Sequence, residues 1–198
     1  SSEVQASSNA SNSNDVCFNP DSSKFVVITK DTANNDALKG RVVTITESGG
    51  TPSITLGTEV TSGETGCSKP SLYYDPEIKQ IVCAMVGGIQ TAARAKIRRI
   101  TISGTTITFQ TGTDLTTSQV WATGKGLTPT AFGDGKCMVG WHQSPSQTWS
   151  RTVALGSSST NITAGNFVGF SGDSATADNG TCTINVVGNT TTQSSLTP

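Results

Sequence analysis

Leu72-Tyr73-Tyr74-Asp75-Pro76-Glu77 and Gln80-Ile81-Val82-Cys83-Ala84-Met85, then Ile97-Arg98-Arg99-Ile100-Thr101-Ile102, Ser103-Gly104 and Thr106-Ile107-Thr108-Phe109, are the stretch that decides the fold. Every run is short and rich in β-branched or aromatic residues. The breakers between them, Asp-Pro-Glu and Ser-Gly, have turn chemistry: proline presets φ and glycine tolerates a positive one. Leu72 to Phe109 is therefore expected to form a four-stranded antiparallel meander.

The flanking sequence repeats it. Lys24-Phe25-Val26-Val27-Ile28, Gln80-Ile81-Val82-Cys83-Ala84 and Lys136-Cys137-Met138-Val139-Gly140 begin at 24, 80 and 136, a step of 56 residues, and Cys17-Phe18-Asn19-Pro20 precedes Tyr73-Tyr74-Asp75-Pro76 by the same step. A third strand recurs as Arg41-Val42-Val43-Thr44-Ile45, Arg98-Arg99-Ile100-Thr101-Ile102 and Arg151-Thr152-Val153-Ala154-Leu155, with steps of 57 and 53. Each copy places an arginine and two apolar residues on one face. Self-similarity at this period marks propeller blades or another repeat array. The expected fold is all-β, built of tandem four-stranded antiparallel β-meander repeats, propeller-blade-like, at about 16–66, 67–119 and 120–164. A Ser/Asn-rich arm or linker, 1–15, precedes them. Residues 165–198 do not match the repeat and are expected as a small C-terminal β segment, with strands at Asn166–Phe170 and Thr181–Gly188.

Composition removes several classes of function. The 198 residues are 33% hydrophobic and 14% charged with a formal charge of −1, so a nucleic acid or an anionic membrane finds no basic surface to bind. No apolar run approaches the ~20 residues of a transmembrane helix. The five cysteines, at 17, 67, 83, 137 and 182, form no C-x-x-C, and there is one histidine, so neither a metal site nor a cofactor is expected. Cys83 and Cys137 fall in the repeated second strand, where cysteine serves as a small apolar residue.

Candidate binding residues are Trp121, Trp141, His142 and Trp149, which cluster in or just before the third unit, and Arg99. Tryptophans on a loop-rich β protein can stack on sugars. Trp141, however, continues an apolar strand and Trp149 precedes Arg151, so packing is the favoured role. Arg98 and Arg99 point to opposite faces, and Arg99 is the one that could meet an anion or glycan. Arg41, Arg98 and Arg151 share their faces with core residues, which obliges each guanidinium to find a carboxylate or carbonyl partner and makes them a repeated structural feature. No catalytic set is visible. His142 has no Ser or Asp in a recognised motif, and the 14 acids lack the repeated pairing a glycosidase requires. The protein is expected not to be an enzyme.

The units of the form Tyr74-Asp75-Pro76, strand, Arg-x-x-strand, Ser103-Gly104-Thr105-Thr106-Ile107-Thr108-Phe109 resemble the propeller-like repeats of tail fibre and appendage proteins of tailed phages, notably those infecting marine cyanobacteria. The close, Asn166-Phe167-Val168-Gly169-Phe170 through Val186-Val187-Gly188 to Leu196-Thr197-Pro198, resembles a small β module that follows such repeats, and the chain then looks like a fragment or processed piece. The resemblance implies a virion structural protein contributing to host attachment and located in a tail or surface appendage. Its implied partners are further copies of itself, most plausibly as a homotrimer, other virion proteins and a host-surface glycan. It supplies no functional residue. The alternatives are a free lectin-like propeller module that binds carbohydrate and, third, a propeller glycosidase.

Overall fold

The computed structural model describes residues 3–7, 13–88, 92–117, 120, 127–133, 135–144, 147–156, 163–171 and 183–187. They form three antiparallel sheets. The first holds β1 (Asn14–Asn19), β2 (Lys24–Asp31), β3 (Ala37–Ser48) and β4 (Thr51–Leu56) in that order, with β5 (Val60–Thr61) also on β3. The second repeats this plan with β6 (Ser68–Asp75), β7 (Gln80–Gly87), β8 (Arg94–Ser103) and β9 (Thr106–Phe109), with β10 (Thr113–Asp114) on β8. The third runs β11 (Thr128–Gly133), β12 (Lys136–Ser144), β13 (Gln147–Ala154), β14 (Thr163–Ser171) and β15 (Thr183–Val187). The chain is thus all-β, as its sequence pattern requires. The strands expected as a separate C-terminal element pair onto β13 and extend the third sheet, so β13 has no open edge there.

The repeat extends to turn chemistry. Ser23, Lys79 and Gly135, at the same step of 56, each stand immediately before the second strand of their sheet with φ of 53°, 55° and 60°. The chain enters that strand from the left-handed region in all three units. The preceding Asx-Pro pairs cap their turns alike: Asn19 Oδ1 accepts from the Ser22 amide at 3.1 Å, and Asp75 Oδ1 accepts from the Glu77 and Ile78 amides at 3.0 and 3.2 Å. Gly49 and Gly50, both with positive φ, close the β3–β4 hairpin.

Residues opposite one another in a ladder share a face. Arg41 pairs with Val27, Arg98 with Cys83 and Arg151 with Val139, each the fourth residue of its second strand. The face carrying the repeat arginine is called the front here, and the opposite face the back. The back of the first sheet (Val26, Ile28, Leu38, Val42) packs on the front of the second (Ile81, Cys83, Met85, Ile100, Ile107). The back of the second (Val82, Ala84, Val86, Ala95, Ile97) packs on the front of the third (Cys137, Val139, Trp141, Val153). The first strands follow one another across this stack, β1 beside β6 and β6 beside β11. Because the second sheet is covered on both faces, every residue of β7 is buried, which explains why Gln80 to Gly87 is a nearly continuous apolar run rather than an alternating one.

Gly135 has open space: an added Cβ would meet nothing closer than Ile78 Cγ2 at 3.6 Å. Gly135→Ala is therefore expected to cost only the left-handed backbone penalty, about 1–2 kcal/mol, while Lys79→Gly should relieve it and raise the melting temperature. Thermal unfolding of both variants checks the pair, and a neutral Gly135→Ala would contradict the shared turn.

Candidate functional site

The chemically rich groups of the molecule gather where each third strand meets a connector. Lys39 and Arg41 on β3, and Lys96 and Arg98 on β8, stand two residues apart and so project from one face. A single glutamate bridges each pair. Glu59 takes Lys39 on one oxygen at 3.2 Å and Arg41 on the other at 2.8 Å, and Glu64 takes Lys96 at 3.0 Å and Arg98 at 3.2 Å. A second acid completes each cluster: Asp31 at 2.6 Å from Lys39, and Asp114 at 2.8 Å from Lys96. In the second unit the position equivalent to Glu59 is Gly112, where a Cβ would lie 3.0 Å from the Arg98 guanidinium. The bridging acid consequently comes from the connector between the sheets.

The arginines do more than pair with acids. Arg98 donates to the carbonyl of Ser62 at 3.2 Å, and Arg151 donates to the carbonyl of Leu115; donor and acceptor lie 36 residues apart in both cases. Ser62 and Leu115 are equivalent, each following the short fifth strand. Each also donates its own amide back into its own sheet, Ser62 to Leu38 at 2.9 Å and Leu115 to Ala95 at 2.7 Å. The connector is thus held by the sheet it leaves and by the arginine of the sheet it leads to. Arg98 is further stacked over Phe109, 5.6 Å from the ring centroid. Arg41, on the first sheet, has Glu59 but no connector carbonyl among the described residues.

Electrostatics fit a clamp. Burial works against the Glu59 carboxylate, yet the hydrogen bonds and charges of Arg41 and Lys39 outweigh it and hold its pKa below the ordinary value. The hydrogen bond to Asp31 is the main cause of a raised Lys39 pKa, with Glu59 adding to it against the cost of burial. Both partners therefore stay charged through neutral pH. Glu59 and Lys39 are thus shifted away from neutrality, the opposite of the tuning that suits a general acid or base.

Sequence reasoning singled out the arginines but missed Lys39, Lys96, Glu59, Glu64 and Asp114. The segment from Asp31 to Lys39 is polar enough to read as a loop, yet Lys39 lies within β3. Lys39 and Lys96 are both strand residues with ionic partners. The signal was present: Lys39-Gly40-Arg41 and Lys96-Ile97-Arg98 are 57 residues apart.

The candidate binding residues lie elsewhere, and Trp141, Trp149 and Arg99 face the junction between the second and third sheets and not an open surface. Trp141 is buried and Trp149 half-buried against the core between the second and third sheets, as cross-strand partners. Arg99 is buried on the back of the second sheet, opposite Val82. His142 occupies β12 opposite Thr148, and Trp121 lies outside the described residues. No group of three or more His, Cys, Asp or Glu among the described residues could hold a metal ion. Comparison with family models, curated proteins and solved structures found no match.

Arg98→Ala is expected to destabilise the protein by about 1–3 kcal/mol, the range for charge-assisted bonds lost from a buried site. Arg98→Lys should recover only part of this, because an ammonium cannot serve the Ser62 carbonyl, Glu64 and the Phe109 ring as a planar fork does. Denaturant unfolding of the two variants checks it, and equal stability of Arg98→Ala and wild type would contradict the clamp.

The free cysteines add a pH dependence. Burial pushes the thiol pKa of Cys17 and Cys137 up to about 11 and that of Cys67 and Cys83 up to about 12, from 9.0. A raised folded pKa means that stability is fully present below the unfolded value and is lost as pH climbs through the folded one. The melting temperature should therefore hold through neutral pH and fall steadily between 9.0 and about 12, with a shallower fall in Cys83→Ala. A flat profile across that window would contradict the burial of the thiols.

Proposed function

We propose that this chain is a structural component of a phage virion, a tail fibre or appendage protein that assembles with further copies and contributes to attachment at the host surface. The observation that carries this reading is the repeated Arg-to-connector bond, which turns successive meanders into a stack of equivalent sheets. Chemistry-bearing side chains are committed to holding that stack. Asp15 accepts from the Leu72 amide at 2.7 Å, Asp21 from the Tyr74 hydroxyl, and Asp75 from its own turn, while Asp31, Glu59, Glu64 and Asp114 are tied to lysines and arginines. A glycosidase needs two carboxylates free to face a sugar, so this use of the acids favours a structural protein. Trp141 and Trp149 contribute to the core, which weakens the lectin alternative. The resemblance of the repeat units to tail fibre repeats supplies the virion setting.

Antibodies raised against the purified chain are expected to label the tail or appendages of virions in electron micrographs, and the purified protein should compete with the virions for adsorption to host cells. Particles that carry no label, together with hydrolysis of a host glycan by the purified chain, would overturn the proposal.

A further inference from the structure

The chain contains two copies of one sheet-on-sheet junction and half of a third. In each complete junction the front of one sheet lies on the back of the sheet before it, and the front arginine donates to the connector carbonyl 36 residues upstream. The front of the first sheet has the same design without a covering sheet among the described residues. Its Val16, Phe18, Ile45 and Ile54 occupy the positions that Leu72, Tyr74, Ile102 and Ile107 occupy in the second sheet. Those four lie in or against the core under the first sheet. Their counterparts are 56%, 44%, 49% and 38% exposed. The only other exposed large hydrophobic among the described residues is Val4. Phe18 and Phe25 lie side by side on the same face, ring centroids 4.8 Å apart.

Arg41 is the second, independent observation. It stands at the register position of Arg98 and Arg151 but holds only the Glu59 carboxylate, where Arg98 holds a carboxylate and a connector carbonyl. Its Nε is buried without a hydrogen bond, as is that of Arg98, so what Arg41 lacks by comparison is the bond from a terminal nitrogen to a connector carbonyl. Its guanidinium thus keeps donors for which the other two units show the natural acceptor. The residue 36 positions upstream is Gln5, which is exposed.

We propose that the front of the first sheet is the docking face for a second copy of this chain, which covers it with the back of its third sheet and offers Arg41 a backbone carbonyl. The occupant follows from continuity with the two internal junctions: what covers a front in this fold is the back of another such sheet, and among the described residues the third sheet is the one whose back meets no later sheet. The contact is head-to-tail, so copies joined this way form a ring where the rotation closes and a filament where it does not. An isolated apolar face of this kind on a monomer would otherwise be a liability for aggregation. The inference rests on repeat geometry and is independent of the virion assignment, since an oligomer found in solution says nothing about where the protein resides.

The test is native mass spectrometry and sedimentation of the full chain at micromolar concentration. Wild type should be an oligomer. Phe18→Glu on the front of the first sheet and Met138→Arg on the back of the third should each give a monomer with an unchanged β-sheet spectrum and a cooperative melt. Mixing the two variants should restore one intact junction and yield a dimer, because each supplies the face the other lacks. Three results would overturn the proposal: a monomeric wild type, an unchanged oligomer in folded Phe18→Glu, or two folded monomeric variants that fail to pair when mixed. Met138→Arg that stays oligomeric while Phe18→Glu falls apart would also overturn it, since copies would then meet front to front. Should either variant fail to melt cooperatively, Ile45→Lys replaces the first and Thr152→Arg the second.

Discussion

The rest of the structure depends on the residue that follows each short fifth strand. Ser62 and Leu115 give their amides to the sheet they leave and receive, on their carbonyls, the arginine of the sheet they lead to. A meander of four strands buries one face poorly and the other not at all, so it is not stable alone. Stacking solves this only if successive sheets arrive in one orientation. Apolar contact is non-directional and cannot fix that orientation. A guanidinium seated among apolar residues can, because leaving its donors without acceptors is costly. The carbonyl it finds is held in place by the amide of the same residue. The fold thus gets its packing from the cores and its registration from two arginines, Arg98 and Arg151.

The lysine two residues before Arg41 and Arg98 shows how charge is kept inside such a junction. Glu59 and Glu64 each lie between a lysine and an arginine, and Asp31 and Asp114 neutralise what remains. Partly buried ion pairs add little stability by themselves, but removing one partner strands the other. The clusters therefore act as conditions on assembly more than as a source of energy. The third unit dispenses with this device. Trp149 stands where lysine would be, and its partner Trp141 fills the space against the second sheet. Of the tryptophans that suggest sugar binding in the sequence, Trp141 and Trp149 thus substitute apolar packing for an ionic clamp.

Much of this was legible in the sequence because the repeat is carried by residues with strong local preferences. The step of 56 sets β2, β7 and β12, the Asx-Pro pairs mark two of the turns before them, and Ser-Gly-Gly and Ser-Gly mark hairpins. The recurrent arginines were visible as a periodic feature on an apolar face. Three things were not legible. The ionic role of Lys39 and Lys96 was one, since charge in a strand is readable only once its partner is known, and Glu59 and Glu64 come from connectors whose path no periodicity encodes. Strands β14 and β15 depart from the repeat in sequence yet pair onto the third sheet, because a ladder needs backbone groups and not a particular side-chain pattern. Finally, whether a tryptophan faces a core or a ligand depends on which face the next sheet covers.

The most direct measurement of the central claim is amide hydrogen exchange, read residue by residue by NMR, in Arg98→Ala and Arg151→Ala. If each arginine fixes the connector before its sheet, Arg98→Ala lowers the protection of the Ser62 amide while leaving that of Leu115 near wild type, and Arg151→Ala does the reverse. Protection of both amides unchanged in both variants, or lost uniformly across all three sheets, would contradict the account.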